Sequence, residues 1–333
     1  MPVAAWLALH LLIGALGTWL ARRYALRARL IDQPGERRSH TSATPRGGGA
    51  AIVLAMLVAA AAGIVFDPSH AILPAAFATG LVLVAGIGAI DDHRPLSPWL
   101  RLGVHALASS ALAIGFHHAY GDPWLAAGAF VLSIGLTNVW NFMDGIDGLA
   151  ASQAALIAAA AAVWLHGPSQ WLALALCAAC CGFLPFNLPR AKIFLGDVGS
   201  GALGYALAAL CVAVAAEADP GWPLVLLPLA AFLVDAALTL VRRMLSGERW
   251  WTPHVTHAYQ IWARGKGHGS VTLAYGLWTV TAIALWWWFR AENAGVITMV
   301  LLGWYTLSCL VWRGLRRAGG FAVVGGGISK DKE

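Results

Sequence analysis

Eleven stretches of mostly apolar residues, separated by short polar breaks, organise this chain. They run over 3–21, 49–66, 71–90, 98–117, 124–141, 150–166, 169–187, 200–216, 221–240, 270–289 and 294–312. Each comes close to the roughly 20 apolar residues that a helix needs to cross the hydrocarbon core. The pattern predicts an all-α polytopic membrane protein with about eleven transmembrane helices. Composition agrees: hydrophobic residues make up 59% and charged residues 11%, and mean hydropathy is +0.69. So little charge could not cover the surface of a soluble protein of this length.

Charge then orients the bundle. With the N-terminus periplasmic, the segments 22–48, 91–101, 142–149, 188–199, 241–269 and the C-terminal tail face the cytoplasm. They hold 21 of the 22 Lys and Arg residues, which leaves only Arg290 outside. The positive-inside rule explains that asymmetry. The net charge of +6 therefore reports topology and contact with anionic head groups. It gives no element that could read a nucleic-acid groove, so DNA and RNA are excluded as partners. The basic residues follow the first apolar run, which reads as an uncleaved span. The five cysteines all lie within apolar runs and read as small packing residues. Trp286–Trp288 read as an interfacial anchor. Residues 1–317 are expected to form a single membrane domain, and 318–333 a disordered cytoplasmic tail. The chain permits a homodimer but carries no argument for one.

Against this basic face stands a tight set of carboxylates: Asp91, Asp92, Asp144, Asp147 and Asp197. Five acids on short loops at one membrane surface, with few cations beside them, are costly unless a metal neutralises them. Hard oxygen donors without His or Cys at ligand spacing point to Mg²⁺, with Mn²⁺ as the alternative. Asp91 and Asp92 close a span. Neighbours on a helix point about 100° apart, so one suits a base or phosphate-positioning role while the other faces a metal or a structural partner. Two solvated aspartates closing the helix would look the same.

Asn138, Asn141, Asp144 and Asp147 recur every three residues, so a helical or 3₁₀ course puts them on one strip. Their amides and carboxylates suit a ribose, base or sugar amide, although Asp144 and Asp147 could instead cap the next helix. A calcium loop is disfavoured because no carboxylate closes the segment. Further on, Asn187, Lys192 and Asp197 precede a helix opened by Gly199, Ser200 and Gly201. The amides at such a helix start suit a phosphate, with Lys192 as a mobile cation. His254 and His257 lie three apart in the long 241–269 segment and could share a helical face. Asp235 falls inside a span, so it should face other helices or a water-filled cleft.

These blocks, in this order, resemble the polyprenyl-phosphate N-acetylhexosamine-1-phosphate transferases, the superfamily of MraY and WecA. The resemblance covers about residues 30–265. It rests on Asp32–His40 with Thr44-Pro-Arg46-Gly-Gly-Gly49, Asp91-Asp92 with Leu96 and Arg101, Asn138–Gly148, Asn187–Ser200, and Pro253-His254-Val-Thr-His257-Ala-Tyr-Gln260. It implies an eleven-helix bundle that moves a sugar phosphate from a UDP-N-acetyl sugar to undecaprenyl phosphate, releasing UMP. It implies Asp91, Asp92 and Asp197 as catalytic residues, with Asp197, Asp92 and Asn141 at the Mg²⁺. The substrate contacts it implies are Asn138, Asn141, Asp144, Asp147, Asn187, Lys192, Arg101, His254, His257, Arg46 and Thr44. His105 replaces a glutamine found in many relatives. The PHVTHAYQ run replaces the His-rich run of the peptidoglycan branch and looks like the branch that initiates O-antigen and lipopolysaccharide. UDP-GlcNAc or a deoxy derivative is therefore expected over UDP-MurNAc-pentapeptide. A secondary transporter is the rival from another class. It would show broken spans at matching places in two halves, and here the charges gather at one face.

Overall fold

The computed structural model describes residues 1–33, 35, 42–217, 221–249, 251, 252 and 254–325, of which 318–325 as backbone only. Each of the eleven apolar runs carries a helix. They are α1 (Val3–Arg27), α2 (Ala50–Phe66), α3 (Ile72–His93), α4 (Pro98–Tyr120), α5 (Pro123–Met143), α6 (Leu149–Ala162), α7 (Gly167–Asn187), α8 (Asp197–Glu217), α9 (Ala230–Leu245), α11 (His268–Phe289) and α12 (Ala294–Gly325). Eight of these are long and apolar enough to cross a membrane. Helices α2 and α6 are apolar but shorter. The run at 221–240 is broken, with a 3₁₀ turn over Trp222–Leu226 preceding the 16-residue α9. The protein is thus a multi-pass, helical membrane protein.

Two features depart from the apolar pattern. The 241–269 segment folds a short amphipathic helix, α10 (Ala258–Lys266), which hydropathy alone passes over. Two-residue strands β1 (Ile31–Asp32) and β2 (Thr44–Pro45) pair antiparallel, with Asp32 opposite Thr44. Helix α12 continues to Gly325, into the segment expected to be a disordered tail; residues 326–333 lie outside the described residues. So do Pro34, Glu36–Thr41 and Pro253, which belong to two of the sequence motifs.

Helix α8 is the axis of the bundle. Every residue from Val198 to Val214 is buried, because small Ala and Gly side chains let neighbouring helices approach closely. The backbones of Gly49 and Gly199 meet with no room for a Cβ on either. That contact fixes the start of α2 against the start of α8. Helices α3, α4 and α5 pack around the same axis, so the end of α3, the start of α4, the end of α5 and the start of α8 converge at one end of the bundle.

Candidate active site

At that end, buried Asp92 on the last turn of α3 reaches the start of α8. Its two carboxylate oxygens accept the backbone amides of Asp197 (3.0 Å) and Val198 (3.1 Å). The Gly196 carbonyl accepts the next two, from Gly199 (3.0 Å) and Ser200 (2.9 Å). The amides that a helix start leaves unpaired are therefore used up within the protein. This corrects the expectation that they would hold a phosphate: a buried carboxylate already takes the positive end of the helix. Gly196 makes this possible. Its φ is +76°, and a Cβ there would sit 2.6 Å from Asp92 Oδ2.

Arg46 balances the buried charge. Its Nε lies 3.5 Å from Asp92 Oδ1, and its guanidinium donates to the backbone carbonyl of Asp92. The strap around Thr44 holds Arg46 there, since Phe194 donates to Pro45 (2.8 Å) and Gly48 to Phe194 (2.9 Å). The Thr44 hydroxyl itself donates to Ser42 O (3.1 Å). Asp92, expected among the metal ligands, thus has both oxygens engaged by backbone and by Arg46.

Asp91 points the other way, into the cluster. One oxygen accepts the Leu96 amide at 2.6 Å and the other accepts Arg101 at 2.8 Å. The same Arg101 nitrogen donates to Asp197 Oδ2 at 2.9 Å, so one guanidinium bridges the two carboxylates. Asn141 donates to the other Asp197 oxygen (3.1 Å) and to Ser200 Oγ (3.0 Å). Asp144 follows the last residue of α5. It makes no hydrogen bond or ion pair among the described residues. Burial, then the charges of Asp197, Asp92 and Asp147, push its carboxyl well above the ordinary value. A carboxylate in that position calls for a cation.

The donor set meets this need for Mg²⁺. Among the described residues no three His, Cys, Asp or Glu side chains form a ready metal cage. Mg²⁺ does not require one, because it keeps several waters and takes one or two carboxylates together with substrate phosphates. Asp197, Asp144 and the free carbonyl of Asn141 fit that role. Lys192 is exposed on the loop entering α8, and its ammonium makes no hydrogen bond or ion pair among the described residues.

Three predicted substrate contacts turn inward instead. Asp147 is buried; it accepts the Ala191 amide (3.1 Å) and lies 3.2 Å from His268 Nδ1. Buried Asn187 accepts the Gly148 amide (3.0 Å) and donates to Ile193 O (3.0 Å). Both side chains pin the 188–196 loop. Asn138 donates back along its own helix to Ile134 O (2.7 Å) and meets buried His105. The three-residue period breaks because α5 ends at Met143. Only Asn141 and Asp144 of the strip stay with Asp197.

The histidines belong to a second cluster beside the first. They do not share a helical face: His254 lies in the loop before α10 and His257 is the N-cap of α10. Their rings nevertheless stack, with centroids 4.9 Å apart. Burial, then the charges of His257 and Arg243, push His254 down to about 4. His257 is buried, stacks on Phe142 (6.2 Å) and lies 3.5 Å from Asp235. Asp235 faces other helices, as an intramembrane carboxylate should. Sequence reasoning passed over Tyr259, whose hydroxyl donates to Phe142 O (2.9 Å), and His268. Tyr259 stands inside the PHVTHAYQ motif, where the histidines drew the reading, and His268 is a single polar residue outside any motif.

Residues 74–215 match the family described as Glycosyl transferase family 4. The chain is 28% identical to a decaprenyl-phosphate N-acetylglucosaminephosphotransferase of Mycobacterium leprae, over 89% of this chain and 87% of the relative. It is 30% identical to an undecaprenyl-phosphate alpha-N-acetylglucosaminyl 1-phosphate transferase of Thermotoga maritima, over 75% and 78%. A phospho-N-acetylmuramoyl-pentapeptide-transferase of Heliobacterium modesticaldum is 28% identical over 81% and 91%. The motifs seen in the sequence, the carboxylate cluster they build and these full-length similarities agree. The chain belongs to glycosyl transferase family 4, the superfamily of polyprenyl-phosphate N-acetylhexosamine-1-phosphate transferases.

Proposed function

We propose that the protein transfers an N-acetylhexosamine-1-phosphate from a UDP-sugar to undecaprenyl phosphate at the cytoplasmic face of a bacterial inner membrane. The products are undecaprenyl-diphosphate-sugar and UMP, the first membrane-bound step in making a surface polysaccharide such as O-antigen. The observation that carries this reading is the bridge of Arg101 between Asp91 and Asp197, with Asp144, which has no hydrogen bond or ion pair among the described residues, beside it. That cluster lies where four apolar helices meet. It suits a reaction that joins a lipid phosphate to a soluble pyrophosphate, where positioning and charge neutralisation supply most of the rate.

The lipid phosphate oxygen attacks the β-phosphorus of the UDP-sugar. A new P–O bond forms, the bond to the α-phosphate oxygen breaks, and UMP leaves with that electron pair. Asp91 accepts the proton of the lipid phosphate when it arrives protonated. Its oxygens are held by Arg101 and the Leu96 amide, which makes it a poor nucleophile and favours direct displacement over an aspartyl intermediate. Asp197, Asp144 and Asn141 would hold Mg²⁺, which would supply Lewis-acid charge neutralisation for the phosphates. Lys192 and Arg101 add cations for the phosphates, and His254 and His257 border the donor side. Asp92, Arg46, Asp147 and Asn187 hold the loops that carry these groups.

UDP-GlcNAc is the first donor to try. The mycobacterial and Thermotoga relatives are named for N-acetylglucosamine, and PHVTHAYQ stands in place of a His-rich run. The test supplies purified protein with undecaprenyl phosphate, Mg²⁺ and a panel of UDP-GlcNAc, its deoxy analogues and UDP-MurNAc-pentapeptide, scoring UMP and lipid product. UMP release with UDP-GlcNAc or a deoxy analogue is expected. Release with the pentapeptide donor alone would move the protein to the peptidoglycan branch, and release with none would overturn the transferase reading.

A further inference from the structure

Asp235 sits on α9, where it is 1% exposed. Five donors converge on its carboxylate: the amides of Ala258 (2.9 Å) and Tyr259 (3.0 Å), Thr239 Oγ1 (3.1 Å), Trp312 Nε1 (3.1 Å) and the Tyr275 hydroxyl (3.3 Å). The two amides open α10. A neutral Ser, Thr or Asn would cap a helix as well without the cost of burying a charge among apolar helices. The charge itself therefore needs a reason. The base beside it is His257, whose Nδ1 lies 3.5 Å from Asp235 Oδ1, within ion-pair range and with no hydrogen bond of its own among the described residues.

The first turn of α10 also grips the loop that carries Asp144 from both sides. The Tyr259 hydroxyl bonds Phe142 O, and the Phe142 ring stacks on His257. On the other side, Gly145 has no room for a Cβ, which would meet Gln260 Nε2 at 2.7 Å. A movement of α10 would thus shift both the histidine pair and the residues flanking Asp144.

We propose that Asp235 is a positioning residue of the transferase: it orients His257 through its ring nitrogen and docks α10 against the 142–145 loop. Carboxylates that orient a metal-bound imidazole from behind are a recurrent device, and removing one typically costs about 10–100-fold in metal affinity or activity; the same range is taken for this metal-free pair. The assignment rests on the transferase reading above for its kinetic consequence, and on geometry alone for its structural one.

Two measurements test it. The first is a double-mutant cycle in the UMP-release assay. Asp235→Asn should lower kcat about 10–100-fold in the wild-type background and leave it nearly unchanged in a His257→Gln background, with Asp235→Glu recovering part of the loss. Equal losses in both backgrounds would overturn the proposal, since a purely scaffolding carboxylate acts regardless of residue 257. The second needs no catalysis: amide hydrogen exchange across 254–260 should speed up in Asp235→Asn while α11 stays protected. Unchanged exchange across 254–260 would also overturn it. A wild-type protein that releases no UMP would remove the transferase reading and leave the exchange experiment to decide this one.

Discussion

The start of α8 and the start of α10 use one device for opposite ends. In each, a buried carboxylate from a neighbouring helix takes the first backbone amides: Asp92 those of Asp197 and Val198, Asp235 those of Ala258 and Tyr259. The positive end of the helix is thereby spent on holding the scaffold. The two starts then differ in the side chain they carry. At α8 it is a carboxylate, Asp197, joined by Asp91 and Asp144. At α10 it is an imidazole, His257, stacked on His254. On the proposed function, the first start would serve a cation and the second the donor, and Tyr259 ties the second to the loop carrying Asp144.

Substitution at the α8 start should separate those two functions most widely. Asp197→Asn keeps its backbone amide on Asp92, so folding should persist while the negative charge and one of the two oxygens offered to the metal are lost. Several kcal/mol of charge stabilisation corresponds to roughly a thousandfold in rate. UMP release should fall by that much with an unchanged unfolding temperature, and full activity would remove Asp197 from the metal site. Asp91→Asn should slow turnover by about 10²–10⁴-fold, the range for a lost proton acceptor, while nucleotide binding by calorimetry stays close to wild type. Binding lost in step with turnover would count against Asp91 as the base. Asp92→Ala should reverse the pattern. It leaves two amides and Arg46 without their partner, a loss of roughly 3 kcal/mol between the cost of a missing cap and that of a broken buried pair. Stability in detergent should drop first, and activity with it.

Most of this end of the bundle is legible in the sequence for a physical reason. Span positions follow from apolar runs, and a crowd of carboxylates without counter-charge is anomalous wherever it occurs, so Asp91, Asp144 and Asp197 stand out. Which of them faces inward does not follow, because it depends on the close approach of helices far apart in the chain. Asp92 lies 105 positions from the amide that it caps, and the close approach of Gly88 to the Asp197–Val198 backbone, with the Gly196 turn, brings them together. The same holds for Asp147 and Asn187, whose hydrogen-bonding groups look suited to a nucleotide but serve the 188–196 loop. The α10 start was harder still. A nine-residue amphipathic helix leaves no hydropathy signal, and the pairing of Asp235 with His257 joins a span to a loop by packing alone.

The smallest expected effect sharpens the comparison from the basic side. His254 is held at about 4, first by burial and then by the charges of His257 and Arg243. The unfolded chain, with an ordinary histidine near 6.5, binds a proton in a range where the folded one does not. Stability therefore falls as pH drops from about 6.5 towards 4, and is unaffected by this group above that range. His254→Gln keeps a polar side chain of similar reach but removes the titration. Between pH 7.5 and pH 5, the unfolding temperature of the wild type in detergent should fall further than that of His254→Gln. The half-buried ring keeps the difference to a small fraction of the Asp92→Ala effect. Parallel curves for the two proteins would show that the histidine stack carries no proton-linked strain, and the contrast between the two helix starts would then rest on their caps alone.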